Sequence, residues 1–265
     1  MQLITTQDEF NASKNQEWKA NCGFWADTFK RDELSDNTTK ATTAIIRNAA
    51  RQFENPTIVD VGCGHAWVLD ALNYTDGLKR FNYWGLDYMP EFIHTNTKKY
   101  KNNKNAHFTQ CDIESDKIPA YKLPNKEADI IVNYFNLIEI WNLDTSFNNM
   151  SMMLKDNGLL VVGTADAIPY IANQSETRQV YDKFLRHYAH IKTAEKNNTL
   201  GFKRQIPNSY PPRYFHFVAH SVADYVNTAA SHGLYLSHMD ERYNGNIQYP
   251  PTVVMQFKKT RGKTK

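Results

Sequence analysis

The amino-acid sequence predicts an α/β fold: a seven-stranded, mostly parallel, doubly wound sheet whose last strand is antiparallel, with a helical N-terminal extension and an insertion after strand five. The first observation is the apolar run Ile58–Val61, which is followed by a glycine turn and a helical pattern. The second is that further short apolar runs alternate with helical segments, as in parallel sheets with crossover helices. The third is the alternation over Val253–Phe257, which is typical of a final antiparallel strand.

The glycine turn directly follows the first buried strand. Asp60 lies near the carboxyl end of that strand, and Gly62, Cys63 and Gly64 come next. Glycine allows a sharp turn and a close approach of a ligand to the backbone. Since the segment from Trp67 onward has a helical pattern, the unit is a strand, a glycine turn and a helix. Open α/β sheets bind nucleotides at this position.

The residues after the turn exclude two classes of nucleotide site. A dinucleotide fingerprint requires a third glycine so that helix and strand pack closely, and Trp67 stands at that position. This large side chain argues against NAD or FAD. No Gly-Lys-Ser/Thr follows the turn, which argues against a P-loop.

A second acidic strand end appears 27 residues after Asp60. The run Tyr83–Asp87 is typical of a strand, and the Asp87 carboxylate at its end is suited to accept hydrogen bonds from both hydroxyls of a ribose. Tyr88 and Met89 follow and are expected to lie against an adenine face. Taken alone, such an acid also fits an ordinary turn residue.

The pattern Asp-Val-Gly-Cys-Gly-His-Ala at residues 60–66 resembles the first motif of the class I S-adenosylmethionine-dependent methyltransferases, whose usual form is Asp/Glu-x-Gly-x-Gly-x-Gly. Ala66 replaces the third glycine. The resemblance covers roughly residues 55–165, is weaker over Ser221–Lys259 and is almost absent from residues 1–50. It implies a Rossmann-like methyltransferase fold with S-adenosyl-L-methionine as the cofactor.

The resemblance also implies a set of cofactor contacts. Asp112, after the predicted strand Ala106–Ile113, matches the family's aspartate that binds the adenine amino group, and the backbone NH of Ile113 matches the one that binds a ring nitrogen. Asn133, in the predicted strand Asp129–Phe135, matches the segment beside the methionine part. The expected cofactor-binding residues are Asp60, Gly62, Cys63, Gly64, Asp87, Tyr88, Met89, Asp112, Ile113 and Asn133.

Length and composition fit a single methyltransferase domain over residues 1–265. No apolar run reaches membrane length and residues 1–20 are polar, so no membrane association and no secretory signal are expected. The three cysteines have no metal-ligand spacing, which favours reduced thiols in a cytoplasmic protein without a metal ion. A net charge of +3 does not indicate nucleic-acid binding, and the oligomeric state stays open.

Two segments outside the sheet pattern are candidates for a substrate cover. Residues 1–50 form the predicted helical cap. Its apolar stripe falls at helical spacing and comprises Trp18, Cys22, Trp25 and Phe29. The stripe either packs on the core or lies over the acceptor, and Trp25 is a candidate substrate contact. Residues 166–213 form the insertion, with a predicted helix over Ser175–Lys192, beside the carboxyl ends of the strands.

The C-terminal part completes the predicted sheet. Ser221 and Asp224 form a predicted capping box at the start of a helix that stops at Gly233. The last two strands are predicted over Leu234–Tyr243 and Thr252–Lys258.

A general base is needed only when the methyl acceptor is protonated. His216 is the favoured candidate because its aromatic segment returns to the sheet beside the insertion, although a core histidine fits equally well. Tyr214, in the same segment, is a candidate substrate contact. The other candidate bases are Glu139, after the fourth strand, Tyr134, at its end, and His220.

The sequence Asn-Tyr-Phe-Asn at residues 133–136 departs from the Pro-Pro-Tyr pattern of DNA and RNA amino-methyltransferases. Together with an aromatic content of 13%, it favours a small acceptor in a covered pocket. The predicted function is S-adenosylmethionine-dependent O- or N-methylation of a small molecule. The alternatives are a cyclase or lyase that uses the same cofactor without methyl transfer, and a non-catalytic cofactor-binding partner subunit.

Overall fold

The structure of the chain is a computed structural model, and it describes residues 2–32, 37–73, 80–115, 123, 127–165, 199–206, 209–242 and 252–260. Within residues 25–32, 37–38 and 242 it describes the backbone alone. The predicted helix over Ser175–Lys192 and most of the predicted insertion lie outside the described residues, and so do the side chains of Trp25 and Phe29.

The described part of the chain alternates strands and helices. Its strands are β1 (Gln2–Ile4), β2 (Thr57–Val61), β3 (Asn82–Asp87), β4 (Ala106–Gln110), β5 (Ala128–Tyr134), β6 (Leu154–Ala165), β7 (Gly201–Gln205), β8 (Tyr214–Val218), β9 (Leu234–Arg242) and β10 (Thr252–Lys259). Its α-helices are α1 (Gln7–Asp32), α2 (Asn37–Ala50), α3 (Trp67–Asn73), α4 (Pro90–Lys99), α5 (Leu143–Met153) and α6 (Val222–Ser231), and a short 3-10 helix spans Leu137–Glu139.

Seven strands form the main sheet in the spatial order β4-β3-β2-β5-β6-β10-β9. The neighbouring pairs among β4, β3, β2, β5 and β6 are parallel, and β10 is antiparallel to both β6 and β9. The predicted mostly parallel sheet with an antiparallel last strand is therefore confirmed. The strand order reverses beside β2, and open α/β sheets form their ligand crevice at such a switch point.

Strand β2 illustrates how the sheet is buried on both faces. Ile58 packs in a cluster with Ile46 of α2 and Leu69 of α3. Val59 packs in the opposite cluster with Phe147 of α5. Because consecutive side chains of a strand point to opposite faces, a strand covered on both sides requires an unbroken apolar run.

A second sheet, which the sequence did not predict, joins β1, β7 and β8 in that order with antiparallel pairing. Phe202 of β7 lies opposite Phe217 of β8. Ile4 and Val218 pack with Phe10 at the start of α1. The small sheet was missed because β1 has only three residues and β7 lies in a polar, turn-rich stretch.

The predicted helical N-terminal extension is confirmed as α1 and α2. Helix α1 has a kink at Asn21, where φ is −128° and ψ is 18°. The side-chain amide of Asn21 donates to Glu17 Oε1 at 2.8 Å. The predicted aromatic stripe therefore follows a bent helix, with Trp18 on the N-terminal side of the kink.

The predicted capping box of α6 is confirmed. The amide of Asp224 donates to Ser221 Oγ at 3.1 Å, and the amide of Ser221 donates to Asp224 Oδ2 at 2.9 Å. Gly233 follows the helix with a φ of 75°, a conformation that glycine adopts without strain.

Among the helices that the structure describes, none combines the length and the apolar character needed to cross a membrane. Cys22, Cys63 and Cys111 all lie in the described residues and form no disulfide.

Gly85 of β3 occupies a position where a side chain does not fit. A Cβ there would lie 2.7 Å from Phe108 Cδ1 and 2.9 Å from Cys63 Sγ. We expect Gly85→Ala to lower the free energy of unfolding by about 1–3 kcal/mol, the usual cost of overpacking. Urea unfolding measures the change.

The matched control for Gly85→Ala is Gly23→Ala in α1, where a Cβ would meet nothing within 4 Å. Alanine has the higher helix propensity, so this variant should be unchanged or up to about 1 kcal/mol more stable. Equal stability of Gly85→Ala and the wild type would contradict the packing around Gly85.

Candidate active site

A cavity of about 510 Å³ lies at the carboxyl ends of β2, β3 and β5. The described residues that line it come from the glycine turn and from the segments after β3, β4 and β5. Others come from elements that cover these segments, including α1 and β8. Its volume falls in the range of about 300–1,000 Å³ that is usual for small-molecule sites. The cavity occupies the switch point of the sheet, where the sequence predicted a nucleotide site.

The glycine turn forms one wall of the cavity. Gly62 and Gly64 have positive φ angles of 73° and 46°. The amides of Gly62 and Cys63 donate to the carbonyl of Leu86 at 2.8 and 3.0 Å, which fixes the turn on the end of β3. A Cβ on Gly62 would lie 2.5 Å from the side chain of Asn136, so only glycine allows the segment after β5 to pack on the turn.

Two residues with side chains hold a left-handed backbone near the cavity, and one of them, Phe135, lines it. Ala66 has a φ of 58° and Phe135 a φ of 56°. Such a conformation costs a non-glycine residue about 1–2 kcal/mol and is concentrated at functional sites. Ala66 thus adopts the conformation that the third glycine of the motif would adopt without strain.

Asp87 connects the glycine turn with the segment after β3. Its Oδ2 accepts a hydrogen bond from the amide of Gly64 at 2.8 Å, and its Oδ1 accepts one from the amide of Met89 at 2.8 Å. Burial raises the pKa of Asp87 to about 6, while hydrogen bonds from the backbone amides act in the opposite direction. Asp87 lines the cavity, and a carboxylate has about four lone-pair sites, so it retains acceptor capacity for a ligand.

The structure brings most of the predicted cofactor-binding residues to this one cavity. Besides Asp87, the cavity is lined by Gly62, Cys63, Gly64, Tyr88, Met89, Asp112 and Ile113. Asp112 Oδ1 accepts a hydrogen bond from the amide of Glu114 at 2.9 Å, which holds the turn after β4.

Asp60 and Asn133 are placed differently from the prediction. Asp60 is 2% exposed beneath the glycine turn, outside the described lining, and accepts a hydrogen bond from the Tyr83 hydroxyl at 2.6 Å. Asn133 is fully buried, and its side chain binds the Leu137 amide at 3.1 Å and Asn136 Oδ1 at 3.2 Å. These placements disagree with direct cofactor contacts by the two side chains. Asn136 lines the cavity instead.

Glu139 lies at the end of the 3-10 helix and faces the cavity. Its Oε2 accepts a hydrogen bond from Trp18 Nε1 at 2.9 Å, and its backbone carbonyl accepts one from Lys14 Nζ at 2.9 Å. Burial raises the pKa of Glu139 to about 7, although the charge of Lys14 and the bond from Trp18 lower it. A carboxyl group with this pKa is suited to accept a proton at neutral pH.

Glu114, after β4, fastens α1 over the cavity. Its Oε1 accepts hydrogen bonds from the amides of Trp141 and Asn142 at 3.0 and 2.7 Å. Its Oε2 lies 3.9 Å from Lys14 Nζ. Burial raises the pKa of Glu114, and the charge of Lys14 opposes that shift.

His216 packs away from the cavity. Phe215 lines the cavity, and successive side chains of a strand point to opposite faces, so Tyr214 and His216 lie on the other face of β8. The His216 side chain is 1% exposed, and its Nε2 is hydrogen-bonded with Ser13 Oγ at 2.9 Å. Burial, with the charges of two nearby lysines, lowers the pKa of His216 to about 4. This placement disagrees with the predicted roles of His216 as the base and of Tyr214 as a substrate contact.

The remaining candidate bases differ in their surroundings. Tyr134 lines the cavity, and its hydroxyl is hydrogen-bonded with that of Thr39 at 2.9 Å. His220 is buried, and its Nε2 is hydrogen-bonded with the carbonyl of Ile140 at 2.8 Å.

Lys14, Glu114 and Asn136 are among the polar residues of the cavity that the sequence had not indicated. Their roles depend on contacts between segments far apart in the chain, for which no local pattern exists. Trp18 was indicated only as part of the aromatic stripe of the cap.

A family model described as a methyltransferase domain matches residues 33–213 of the chain. No curated protein sequence matches it. The matched residues contain the glycine turn and the segments after β3, β4 and β5, which are the parts that build the cavity.

Solved structures share the fold at low sequence identity. A S-adenosylmethionine-dependent methyltransferase from Clostridium acetobutylicum has 12% identity and a TM-score of 0.56, with 90% of this chain and 98% of that chain covered. The N-methyltransferase NodS from Bradyrhizobium japonicum, in complex with S-adenosyl-L-homocysteine, has 13% identity and a TM-score of 0.52, with 89% and 98% covered. A TehB-like S-adenosylmethionine-dependent methyltransferase from Corynebacterium glutamicum has 15% identity and a TM-score of 0.55, with 91% and 100% covered.

We expect Asp60→Asn to change the pH dependence of stability. In the folded chain burial raises the pKa of Asp60 to about 7, whereas the ordinary value in the unfolded chain is 3.8. Between these values the unfolded state binds fewer protons, so Asp60 lowers the stability as the pH rises. Asparagine removes this effect, and the slope of the unfolding free energy against pH should become more positive by about 1.4 kcal/mol per pH unit.

Urea unfolding between about pH 4 and pH 8 measures this slope and its upper limit. Tyr83→Phe is the comparison variant, because it removes the hydrogen bond that lowers the pKa of Asp60 and should extend the window to higher pH. The same slope in the wild type and both variants would show that Asp60 does not titrate as described.

Proposed function

We propose that this chain, which belongs to the class I S-adenosylmethionine-dependent methyltransferase family, methylates an oxygen or nitrogen atom of a small molecule. The observation that carries the proposal is a single cavity that contains Asp87 and the glycine turn together with Glu139. A cofactor bound by Asp87 and the glycine turn would therefore lie in the same cavity as the carboxyl group of Glu139.

S-adenosyl-L-methionine is the cofactor, and when bound it supplies a methyl group activated by a sulfonium. Asp87 would accept hydrogen bonds from the ribose hydroxyls, and Asp112 with the backbone of Ile113 would bind the adenine. The absence of a Cβ on Gly62 and Gly64 lets the turn approach the ligand closely. These residues orient the cofactor, and in a displacement of this kind orientation supplies much of the acceleration.

Glu139 replaces His216 as our candidate for the general base. It faces the cavity, and its carboxyl has a pKa of about 7 that burial raises from the ordinary range. The Trp18 indole holds one carboxylate oxygen and so fixes the orientation of the other. Tyr134 remains a second candidate at the same cavity.

The size and enclosure of the cavity support a small acceptor. A nucleoside cofactor takes up much of about 510 Å³ and leaves room for only a small partner. We propose that α1, whose Lys14 and Trp18 line the cavity, covers the acceptor. NodS, which shares the fold, is an N-methyltransferase.

The proposed setting is the cytoplasm, where free thiols such as those of the three cysteines persist.

Analysis of the reaction products separates methyl transfer from the alternative functions. Methyl transfer yields S-adenosylhomocysteine, whereas a cyclase or lyase that attacks another carbon yields methylthioadenosine. A partner subunit would yield neither.

We expect Asp87→Ala to weaken the binding of S-adenosylhomocysteine by about 1.5–3 kcal/mol, because hydrogen bonds to a charged group are lost. Isothermal titration calorimetry measures the affinity, and circular dichroism verifies the fold. Asp144→Ala, at a carboxylate whose side chain is 76% exposed, is the control. Unchanged affinity in folded Asp87→Ala would refute the ribose contact.

We expect Glu139→Gln to lower methyl transfer by about 10²–10⁴-fold, because glutamine retains the shape and the bond from Trp18 but accepts no proton. Formation of S-adenosylhomocysteine is measured with a pool of small amines and phenols as acceptors. In the wild type the rate should rise with pH through about 7, as Glu139 becomes a carboxylate.

Trp18→Phe supplies the comparison for this pH profile. Loss of the indole hydrogen bond should raise the pKa of Glu139 and move the midpoint of the rate to higher pH. The titration of the acceptors is common to both enzymes, so an identical midpoint would count against Glu139 as the base.

A further inference from the structure

We propose that the methyl acceptor is a small amine with a flat apolar or aromatic group, and that it enters the cavity as its ammonium ion and binds the Glu139 carboxylate. This inference rests on the proposed function and narrows the methylated atom to nitrogen.

The charges that line the cavity have one dominant sign. In the described part of the chain, the cationic and acidic residues of the lining are Lys14, Asp87, Asp112, Glu114 and Glu139. One ammonium group thus faces four carboxyl groups. A cavity lined by charge of one sign concentrates ligands of the opposite sign.

The single lysine of this lining is already engaged by the protein. Lys14 Nζ donates to the carbonyl of Glu139 at 2.9 Å and lies 3.9 Å from Glu114 Oε2. Its side chain is only 12% exposed. An anionic acceptor would compete with these contacts and would meet the remaining carboxylates, which is a repulsive arrangement.

Glu139 is the carboxylate best placed for a cationic ligand. Its Oε2 accepts a hydrogen bond from Trp18, whereas its Oε1 accepts none from any residue that the structure describes. No cationic group of those residues lies within 4 Å of the carboxylate. The Glu139 carboxylate therefore retains one oxygen for an N–H donor of the ligand.

Aromatic rings beside Glu139 match the rest of such an acceptor. Trp18 packs edge-to-face on Phe92 with ring centroids 5.9 Å apart, and His65 packs on the same phenylalanine at 4.7 Å. Phe215 lines the cavity from β8. Aromatic faces attract ammonium groups as well as flat apolar groups.

The chemistry is complete without a further reactant. The ammonium nitrogen passes one proton to Glu139 Oε1, and its freed lone pair then forms the bond to the methyl carbon. The carbon–sulfur bond breaks and its electron pair stays on sulfur. The products are S-adenosylhomocysteine and an N-methylammonium ion, and Glu139 returns its proton to water.

The test uses three probes of similar size and different charge: benzylamine, benzyl alcohol and benzoate. Each is titrated into the full chain saturated with S-adenosylhomocysteine, at about pH 8, where Glu139 is ionised. We expect benzylamine to bind in the millimolar range or tighter and at least about 10-fold more tightly than benzoate. Equal affinity, tighter binding of benzoate, or no binding of benzylamine would overturn the proposal.

Two variants locate the selectivity. Glu139→Gln should reduce the preference for benzylamine over benzoate by about 10-fold, since hydrogen bonding to a charged group is lost. Glu9→Gln makes the same change on an exposed side chain of α1 and should preserve the preference. An equal preference in the wild type and Glu139→Gln would overturn the role of Glu139.

Failure of this inference can be told apart from failure of the proposed function. Benzoate selectivity combined with transfer of labelled methyl groups to small phenols would refute the amine and leave a small-molecule methyltransferase. A chain that does not bind S-adenosylhomocysteine would refute the cofactor site itself.

Discussion

The carboxylate of Asp87 holds together the loops on which the site depends. One of its oxygens binds the amide of Gly64 and the other binds the amide of Met89, so the turn after β2 and the segment after β3 share one anchor. The same carboxylate lines the cavity. The residue that would bind the ribose is therefore also the residue that gives the cavity its shape, and the glycine turn is set before any ligand arrives.

Helix α1 closes the site because Ser13 contacts the small sheet, whereas Lys14 and Trp18 contact the segment after β5. Ser13 Oγ is hydrogen-bonded with His216 Nε2 of β8 at 2.9 Å and accepts a hydrogen bond from Lys203 Nζ of β7 at 3.2 Å. Lys14 and Trp18 bind Glu139 beyond the end of β5. The small sheet, the helix and the main sheet are thereby joined through polar contacts. His216 contributes to this junction as a buried neutral acceptor or donor, which explains its aromatic surroundings without a catalytic role.

The parts of the site that the sequence predicted are those with local patterns. A strand, two glycines and a helix define the turn at Gly62 and Gly64 without any distant contact, and Asp87 follows at the end of the next strand. Which side chains of a short strand face a cavity is harder to predict, because a shift of one residue exchanges the two faces. In β8 it is Phe215, and not His216, that faces the cavity. The bond from Trp18 to Glu139 joins residues 121 positions apart, and no periodicity encodes such a contact.

Burial and mutual repulsion both raise the pKa values of carboxyl groups at the site. Burial raises the pKa of Asp60 and Glu139 to about 7 and that of Asp87 to about 6, and the charge of Asp87 contributes to the first two shifts. The fold thus brings together acidic groups that oppose one another's ionisation. A cationic cofactor reverses this relation, because its charge favours the ionised form of each neighbouring carboxyl group. The buried carboxyl groups therefore lower the stability of the chain relative to a neutral cavity, and they favour positive charge held beside Glu139.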